Sequence, residues 1–357
     1  MACIDLDLAH SYKAHPEHDD DYALLPLKMR FEDGGAYALL GPSGCGKTTM
    51  LNIISGLVKP SHGSVCFDGR DVTHDTTQAR NIAQVFQFPV IYDTMTVAEN
   101  LGFPLRNRGV AAHAIDARVG QIAEMLDLSG QLQQRASGLS ADQKQKISLG
   151  RGLVRSDVSA VLFDEPLTVI DPHLKWQLRR KLKQIHRELK LTLIYVTHDQ
   201  VEALTFANEV LVMSRGQVMQ VGTAEALFER PAHTFVGHFI GSPGMNFVPA
   251  QHVAGQLNIA GYDVQTPTPL TVQGEMKIGI RPEHLRLGQA GQAGTVPARV
   301  QRVQVLGAHA LITCALQQMR VRLRMALDPV MPQVGDTVHL QMLSPHTCIY
   351  QNERWVA

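Results

Sequence analysis

Short apolar runs alternate with helical stripes along the first two thirds of the chain. Ala36-Tyr37-Ala38-Leu39-Leu40, residues 82–87, Ala160-Val161-Leu162-Phe163 and residues 191–196 are each too short for a helix and too continuous for a half-solvated strand. They predict buried strands. Residues 4–12 and 22–30 also read as strands, and residues 65–69 as a strand running into a turn. Between these lie helical patterns. Thr49-Met50-Leu51-Asn52-Ile53-Ile54 begins one. Ile115, Val119, Ile122 and Leu126 fall on one face of another, and Leu174, Leu178, Leu182, Ile185 and Leu189 on one face of a long one. Arg215-Gly216 joins two apolar runs as a hairpin, and residues 225–229 and 233–240 read as short helices. Strands alternating with helices predict an α/β fold with a mostly parallel sheet and a ligand beyond its carboxyl edge.

The pattern changes after Gly241-Ser242-Pro243-Gly244, which reads as a linker. Met319-Arg320-Val321-Arg322-Leu323-Arg324-Met325 alternates strictly, apolar on one face and basic on the other. Residues 300–305, 338–342 and 348–350 add short strands between Gly- and Pro-rich turns, which predicts a small all-β barrel. The expected domains are therefore residues 1–240, with a helical subdomain over about 88–153, and residues 241–357. The arginine ladder reads as the solvated face of a strand, since no aromatics interleave it as a nucleic-acid groove would require.

Composition narrows the function. Lys+Arg and Asp+Glu are 33 each in 357 residues, so no global charge draws the chain to nucleic acid. No apolar run approaches the ~18–20 residues that span a bilayer. Two acids and no basic cluster at the N-terminus argue against a signal peptide. The five cysteines are scattered, which predicts free thiols. The stretch Ala14-His15-Pro16-Glu17-His18-Asp19-Asp20-Asp21 reads as a solvated loop, because its spacing fixes no coordination geometry.

The candidate chemistry centres on Gly41-Pro42-Ser43-Gly44-Cys45-Gly46-Lys47-Thr48, a complete G-x-x-x-x-G-K-[ST] phosphate loop between a buried strand and a helix. Its glycines let successive N–H groups turn inward, and the helix N-terminus adds partial positive charge. Lys47 is placed to reach the β- and γ-phosphates, and the Thr48 hydroxyl to hold Mg²⁺. Asp164 ends a buried strand, where a carboxylate holds Mg²⁺ through water, and Glu165 beside it is the candidate general base. His198 and Gln87 sit at the ends of neighbouring strands, His198 to meet the γ-phosphate and Gln87 to orient Mg²⁺ and the water. Together these imply ATP hydrolysis by positioning and charge neutralisation. Cys45 inside the loop is expected to block ATP binding when alkylated.

These motifs, with Leu139-Ser140-Ala141-Asp142-Gln143, Asp171 and Thr197-His198-Asp199, occur in the order found in ABC transporter ATPases, which the chain resembles over nearly its whole length. Gly241-Ser242-Pro243-Gly244-Met245-Asn246-Phe247 and Gly279-Ile280-Arg281-Pro282-Glu283-His284 resemble the subclass serving carbohydrate importers of the maltose and glycerol-3-phosphate type. The overall pattern is most similar to the paired ATPases of bacterial glycerol importers. The resemblance implies an ATPase domain with a helical subdomain followed by an OB-like regulatory domain. It implies two ATPase subunits at the cytoplasmic face of the inner membrane, beneath two permease subunits fed by an external solute-binding protein. It implies that Tyr12 stacks on adenine, that Ser43, Gly44, Cys45, Gly46 and Thr49 join Gly41, Lys47 and Thr48 around ATP, and that Asp171 lies in a loop crossing to the opposite subunit. By the same resemblance, residues 88–100 would receive a permease helix.

The chain departs from this family where the signature Leu-Ser-Gly-Gly-Gln reads Leu139-Ser140-Ala141-Asp142-Gln143. In the family that segment, here Ser140, Ala141, Asp142 and Gln143, touches ATP bound to the other subunit. An ionised Asp142 about 5 Å from phosphate would cost about 3 kcal/mol per unit charge at an effective dielectric near ~20. The expectation is a heterodimer with a second, non-identical ATPase carrying an intact signature. The alternatives are a homodimeric sugar or glycerol-3-phosphate importer ATPase and, more remotely, a nucleic-acid-dependent phosphate-loop ATPase.

Overall fold

The computed structural model describes residues 2–266, 271–328 and 330–357. Their contacts form two compact units, Met1–Ala224 and Glu225–Ala357. The first is built on a six-stranded sheet in the order Gln217–Gly222, Glu209–Ser214, Ala36–Leu40, Leu193–Thr197, Val161–Asp164, Ala83–Val85. All neighbours are parallel except the Glu209–Ser214/Gln217–Gly222 hairpin at one edge. Helices cover both faces, which is why the central strands read as unbroken apolar runs. Val161, Phe163, Leu193 and Tyr195 point to one core and Leu162, Ile194 and Val196 to the other, the period-2 alternation of a strand buried on both sides.

Helix α1 (Lys47–Ser55) follows the phosphate loop and packs on the second of these cores. A four-stranded antiparallel sheet, ordered Tyr22–Phe31, Ile4–Ser11, His62–Phe67, Arg70–Asp71, adds Ile4, Leu6, Leu8, Val65 and Phe67 to that core. The other core is closed by α2 (Val97–Arg106), α3 (Ala112–Met125), α4 (Ala141–Leu153) and α5 (Pro172–Leu189). The stripe Ile115, Val119, Ile122 and Leu126 is buried, as its spacing predicts. Leu178, Leu182 and Ile185 are buried on α5, whereas Leu174 near its start stays exposed. A short helix, α6 (Gln200–Phe206), follows the strand Leu193–Thr197.

Two predicted strands are shorter than their apolar runs. The strand expected over 82–87 is hydrogen-bonded only at Ala83–Val85, so Gln87 lies beyond its end. The strand expected over 4–12 stops at Ser11, where register shifts end its pairing with Tyr22–Phe31 and leave Tyr12 68% exposed.

The second compact unit also takes in the stretch before the Gly241 linker. Residues 225–240, carrying most of α7 (Ala224–Glu229) and all of α8 (Thr234–Phe239), belong to it. The physical reason is Arg281, 1% exposed, which donates to the carbonyls of Phe228 (2.6 Å), Ile240 (2.5 Å), Leu227 (3.3 Å) and Gly237 (3.4 Å). Beyond it, strand pairing among the described residues makes a six-stranded and a five-stranded sheet. They share one core, with Val248, Ile278 and Ile280 from the first and Val300, Ile312, Val321 and Leu340 from the second. In Met319–Ala326 the alternation holds: Val321 and Leu323 are buried and Arg320 and Arg322 exposed.

Arg80 plays in the first unit the part Arg281 plays in the second. It is 1% exposed and caps the end of α1, donating to Ile53 (2.6 Å), Ile54 (3.0 Å), Thr73 (2.9 Å) and Asp75 (3.3 Å) carbonyls. Arg80→Met keeps the apolar stem but leaves these acceptors unpaired in the interior. It is expected to lower stability by about 2–4 kcal/mol in denaturant titration without changing the slope of the transition.

Candidate nucleotide and hydrolysis site

The phosphate loop is shaped by close backbone approach. A Cβ at Gly41 would lie 2.3 Å from the Met213 carbonyl, and one at Gly46 2.4 Å from that of Ala23, where φ is also +102°. Neither position tolerates a side chain. Gly46 is the N-cap of α1 and supplies no side-chain acceptor, so the first N–H groups of the helix remain available to an anion. Lys47 is 6% exposed, and its ammonium donates to the Gly41 (2.8 Å) and Pro42 (2.9 Å) carbonyls and lies 3.8 Å from the Cys45 sulfur. Among the described residues no carboxylate forms an ion pair with this buried cation. Phosphate oxygens fit that vacancy of charge, since a buried cation needs an anionic partner.

Parallel register brings the remaining groups to the same edge. Leu40 pairs with Thr197, and Asp164 with Val196, so the phosphate loop, His198 and the Asp164-Glu165 pair leave adjacent strands at one level. The Thr48 hydroxyl donates to Asp164 Oδ1 at 3.3 Å. A hydroxyl and a carboxylate oxygen this close form the hard-oxygen donor set that Mg²⁺ takes. Burial pushes the Asp164 carboxyl above the usual range and nearby Glu165 pushes it the same way, while the Thr48 hydrogen bond and Lys47 pull it down. Glu165 Oε2 lies 3.1 Å from His198 Nδ1 and accepts from the Thr168 hydroxyl at 3.3 Å. Glu165 also has φ +49°, a left-handed conformation that glycine would adopt without strain. Its amide is pinned to the Val196 carbonyl at 3.0 Å. A non-glycine residue held there by the adjacent strand is the kind of local strain that collects at functional sites.

The other sequence-predicted residues are placed as follows. Tyr12, expected to stack on adenine, has its hydroxyl 3.3 Å from Thr49 Oγ1 and its ring edge-on to His10. Gln87 is half-buried in a bend past its strand. Ser140 is the N-cap of α4, its amide bonded to Gln143 Oε1 at 3.0 Å, and its hydroxyl donates to the Asp142 carboxylate. Asp142 thus sits in the first turn of a helix, where negative charge is favoured. Asp171 caps α5, accepting from the His173 amide at 2.8 Å. Cys45, expected to block ATP binding when alkylated, lies beneath the surface of the loop. It is 4% exposed, and burial raises its thiol pKa, only partly offset by Lys47, so the loop shields the thiol.

Two supporting residues escaped the sequence reading. Gln145, fully buried on α4, donates to the Pro166 carbonyl at 2.7 Å and ties the signature helix to the turn carrying Glu165. Glu202, 4% exposed, accepts from Tyr195 (2.9 Å) and Thr197 (2.8 Å), with Lys175 at 3.7 Å, and so fixes the strand end before His198. A polar residue on the apolar face of each helix was the available signal.

A phosphate loop, a strand-end acid pair and a strand-end histidine on one edge of a parallel sheet define a phosphate-loop ATPase. Comparisons with known proteins narrow the class. The ABC transporter family matches residues 24–168, the MalK OB fold domain residues 241–285 and the TOBE domain residues 278–349. The chain is 44% identical over 288 residues to an uncharacterized ABC transporter ATP-binding protein, y4oS, of Sinorhizobium fredii, covering 79% of this chain and 76% of that protein. It is 37% identical over 338 residues to the sn-glycerol-3-phosphate import ATP-binding protein UgpC of Escherichia coli O157:H7, covering 92% of this chain and 93% of the relative. The solved structure of cbiO1 from Clostridium perfringens, part of the ABC transporter complex cbiONQ, shares the fold at 24% identity and a TM-score of 0.58, covering 64% of this chain and 90% of that one. The chain belongs to the ABC transporter ATP-binding proteins, transport-coupled ATPases that bind ATP, and it carries MalK-type OB and TOBE regions after the ATPase fold.

Asp164 gives a signed expectation. Because its folded pKa is raised, the folded chain holds the proton more tightly than the unfolded chain does. Stability therefore falls as pH rises from the ordinary carboxylate value through the folded one. Asp164→Asn should equal the parent in stability at low pH and exceed it above that window in thermal melts without nucleotide, while losing ATP turnover. For Cys45, maleimide labelling of the native nucleotide-free protein followed by peptide mapping should modify the half-buried Cys3 and Cys66 before Cys45. Faster labelling of Cys45 would show that the loop opens.

Proposed function

We propose that this chain is the ATP-hydrolysing subunit of a bacterial importer for a small polyol or sugar, glycerol favoured, working in a heterodimer with a second ATPase. Similarity over 92% of the chain to a protein named for sn-glycerol-3-phosphate import supports the solute class. The altered signature carries the heterodimer reading. Asp142 adds a carboxylate where the family has glycine, so a site made by this segment with a neighbour's ATP would be weak. A partner with an intact signature would complete this chain's own Lys47, Thr48, Asp164, Glu165 and His198.

In that site ATP brings its phosphates, whose charge a bound Mg²⁺ would neutralise. Lys47 exchanges main-chain carbonyls for phosphate oxygens. Thr48 and Asp164, whose oxygens lie 3.3 Å apart, would hold the cation, and Gln87 would help orient it and the water. Glu165 takes the proton of the attacking water, and His198, 3.1 Å from Glu165, keeps that carboxylate oriented and faces the γ-phosphate. Tyr12 stacks on adenine, its hydroxyl beside Thr49. Gly41, Ser43, Gly44, Cys45 and Gly46 line the loop, and Asp171 reaches toward the partner subunit. A permease helix docks on residues 88–100, where Phe88, Val90 and Tyr92 are exposed apolar side chains, and the two ATPases together serve two permease subunits. That contact holds the chain at the cytoplasmic face of the membrane. No helix among the described residues is long and apolar enough to cross it. Residues 241–357 act as the regulatory domain.

A second reading, a homodimer, is favoured by one observation: Asp142 is engaged by the Ser140 hydroxyl at the start of α4 rather than free. The Glu165→Gln variant separates the two, since blocking hydrolysis traps the closed dimer. With ATP and Mg²⁺, size-exclusion chromatography with light scattering should show a monomer for this chain alone and a dimer with a signature-intact partner ATPase. An ATP-dependent dimer of this chain alone would overturn the heterodimer.

A further inference from the structure

The C-terminal unit holds a side-chain cluster that ATP chemistry does not use. Glu229 ends α7, His284 follows the strand Gly274–Ile280, and His346 precedes the strand Cys348–Gln351. Their ligand atoms all lie within 4.8 Å of one another. Glu229 Oε2 is 3.5 Å from His284 Nε2 and 3.7 Å from His346 Nδ1. His284 Nε2 is shielded from solvent and has no hydrogen-bond partner. Two imidazole nitrogens thus face one carboxylate oxygen at ion-pair distance, and neither contact is a hydrogen bond. The two Glu229 separations approach the edge of a tetrahedron with metal bonds of ~2.0–2.1 Å, about 3.4 Å.

The geometry points to a divalent transition-metal site made by Glu229, His284 and His346, with Zn²⁺ as the ion it suits. Two imidazoles and one carboxylate are borderline and hard donors together, a set that suits Zn²⁺ and disfavours Mg²⁺. The imidazole rings lie parallel, 4.0 Å apart with 6° between planes. Their lone pairs therefore do not yet converge. His346, whose side chain is 53% exposed, has room to turn its nitrogen toward the ion, while the more buried His284 stays. The surrounding groups leave the ligands free. Arg281, whose charge Glu229 feels, is committed to backbone carbonyls, and Cys348 Sγ lies 3.7 Å from the Glu229 carbonyl rather than its carboxylate. The bound ion would tie the end of α7 to two loops of the β unit, so its binding stabilises that unit.

The experiment is calorimetric titration of Zn²⁺ into the full-length, tag-free, metal-stripped protein without nucleotide, which would chelate the probe. One equivalent should bind, and His346→Ala and Glu229→Gln should each weaken that binding by more than about tenfold. Co²⁺ added to the unaltered protein gives a check that needs no variant: visible absorption of a four- or five-coordinate ion, lost on adding Zn²⁺. Binding of equal strength in the parent and both variants places the ion on other histidines and overturns the site. So does the absence of stoichiometric binding or of Zn²⁺-displaceable Co²⁺ absorption.

Discussion

The parallel register of three neighbouring strands is the constraint on which the site depends. Leu40, Thr197 and Asp164 close their strands at one level because Ala36–Leu40, Leu193–Thr197 and Val161–Asp164 pair in step. A slip of one residue would turn Asp164 toward the wrong face and bury its carboxylate in a helical core. Apolar packing prevents that slip, since each strand is covered on both sides and each side chain has a defined place in one of two cores.

Within that frame the site is arranged around charge that the chain alone leaves unbalanced. Lys47 is buried against carbonyls, and Asp164 is a desolvated carboxyl beside a second acid. Lys47 is less costly once phosphate arrives, so nucleotide binding completes the electrostatics around it. Glu165, held at positive φ by the hydrogen bond its amide donates to the Val196 carbonyl, adds backbone strain at the same place. Stability is given up where the chemistry needs groups of this type.

Asp142 shows how one substitution is read differently at two levels. In sequence it is a carboxylate where the family has glycine. In the fold it is the first-turn acid of α4 and accepts from Ser140, which supplies a local reason for its presence. The same helix carries Gln145, whose amide binds the Pro166 carbonyl, so the signature segment and the Glu165 turn share a buried link. That link is invisible in sequence because the partners are 21 residues apart and Gln145 carries no motif.

The sequence by itself determined the phosphate loop, the strand-end acids, the strand-end histidine and the change from α/β to β texture, because these rest on local pattern and short-range spacing. It did not show that residues 225–240 pack with the β unit, which Arg281 decides by binding carbonyls some forty to fifty-four residues away. Tertiary structure decided the shielding of Cys45, which depends on how the loop folds over it, and the approach of the Tyr12 hydroxyl to Thr49. Only tertiary structure brought Glu229, His284 and His346 together. Their meeting depends on how distant strands pack, and no run of adjacent residues records that.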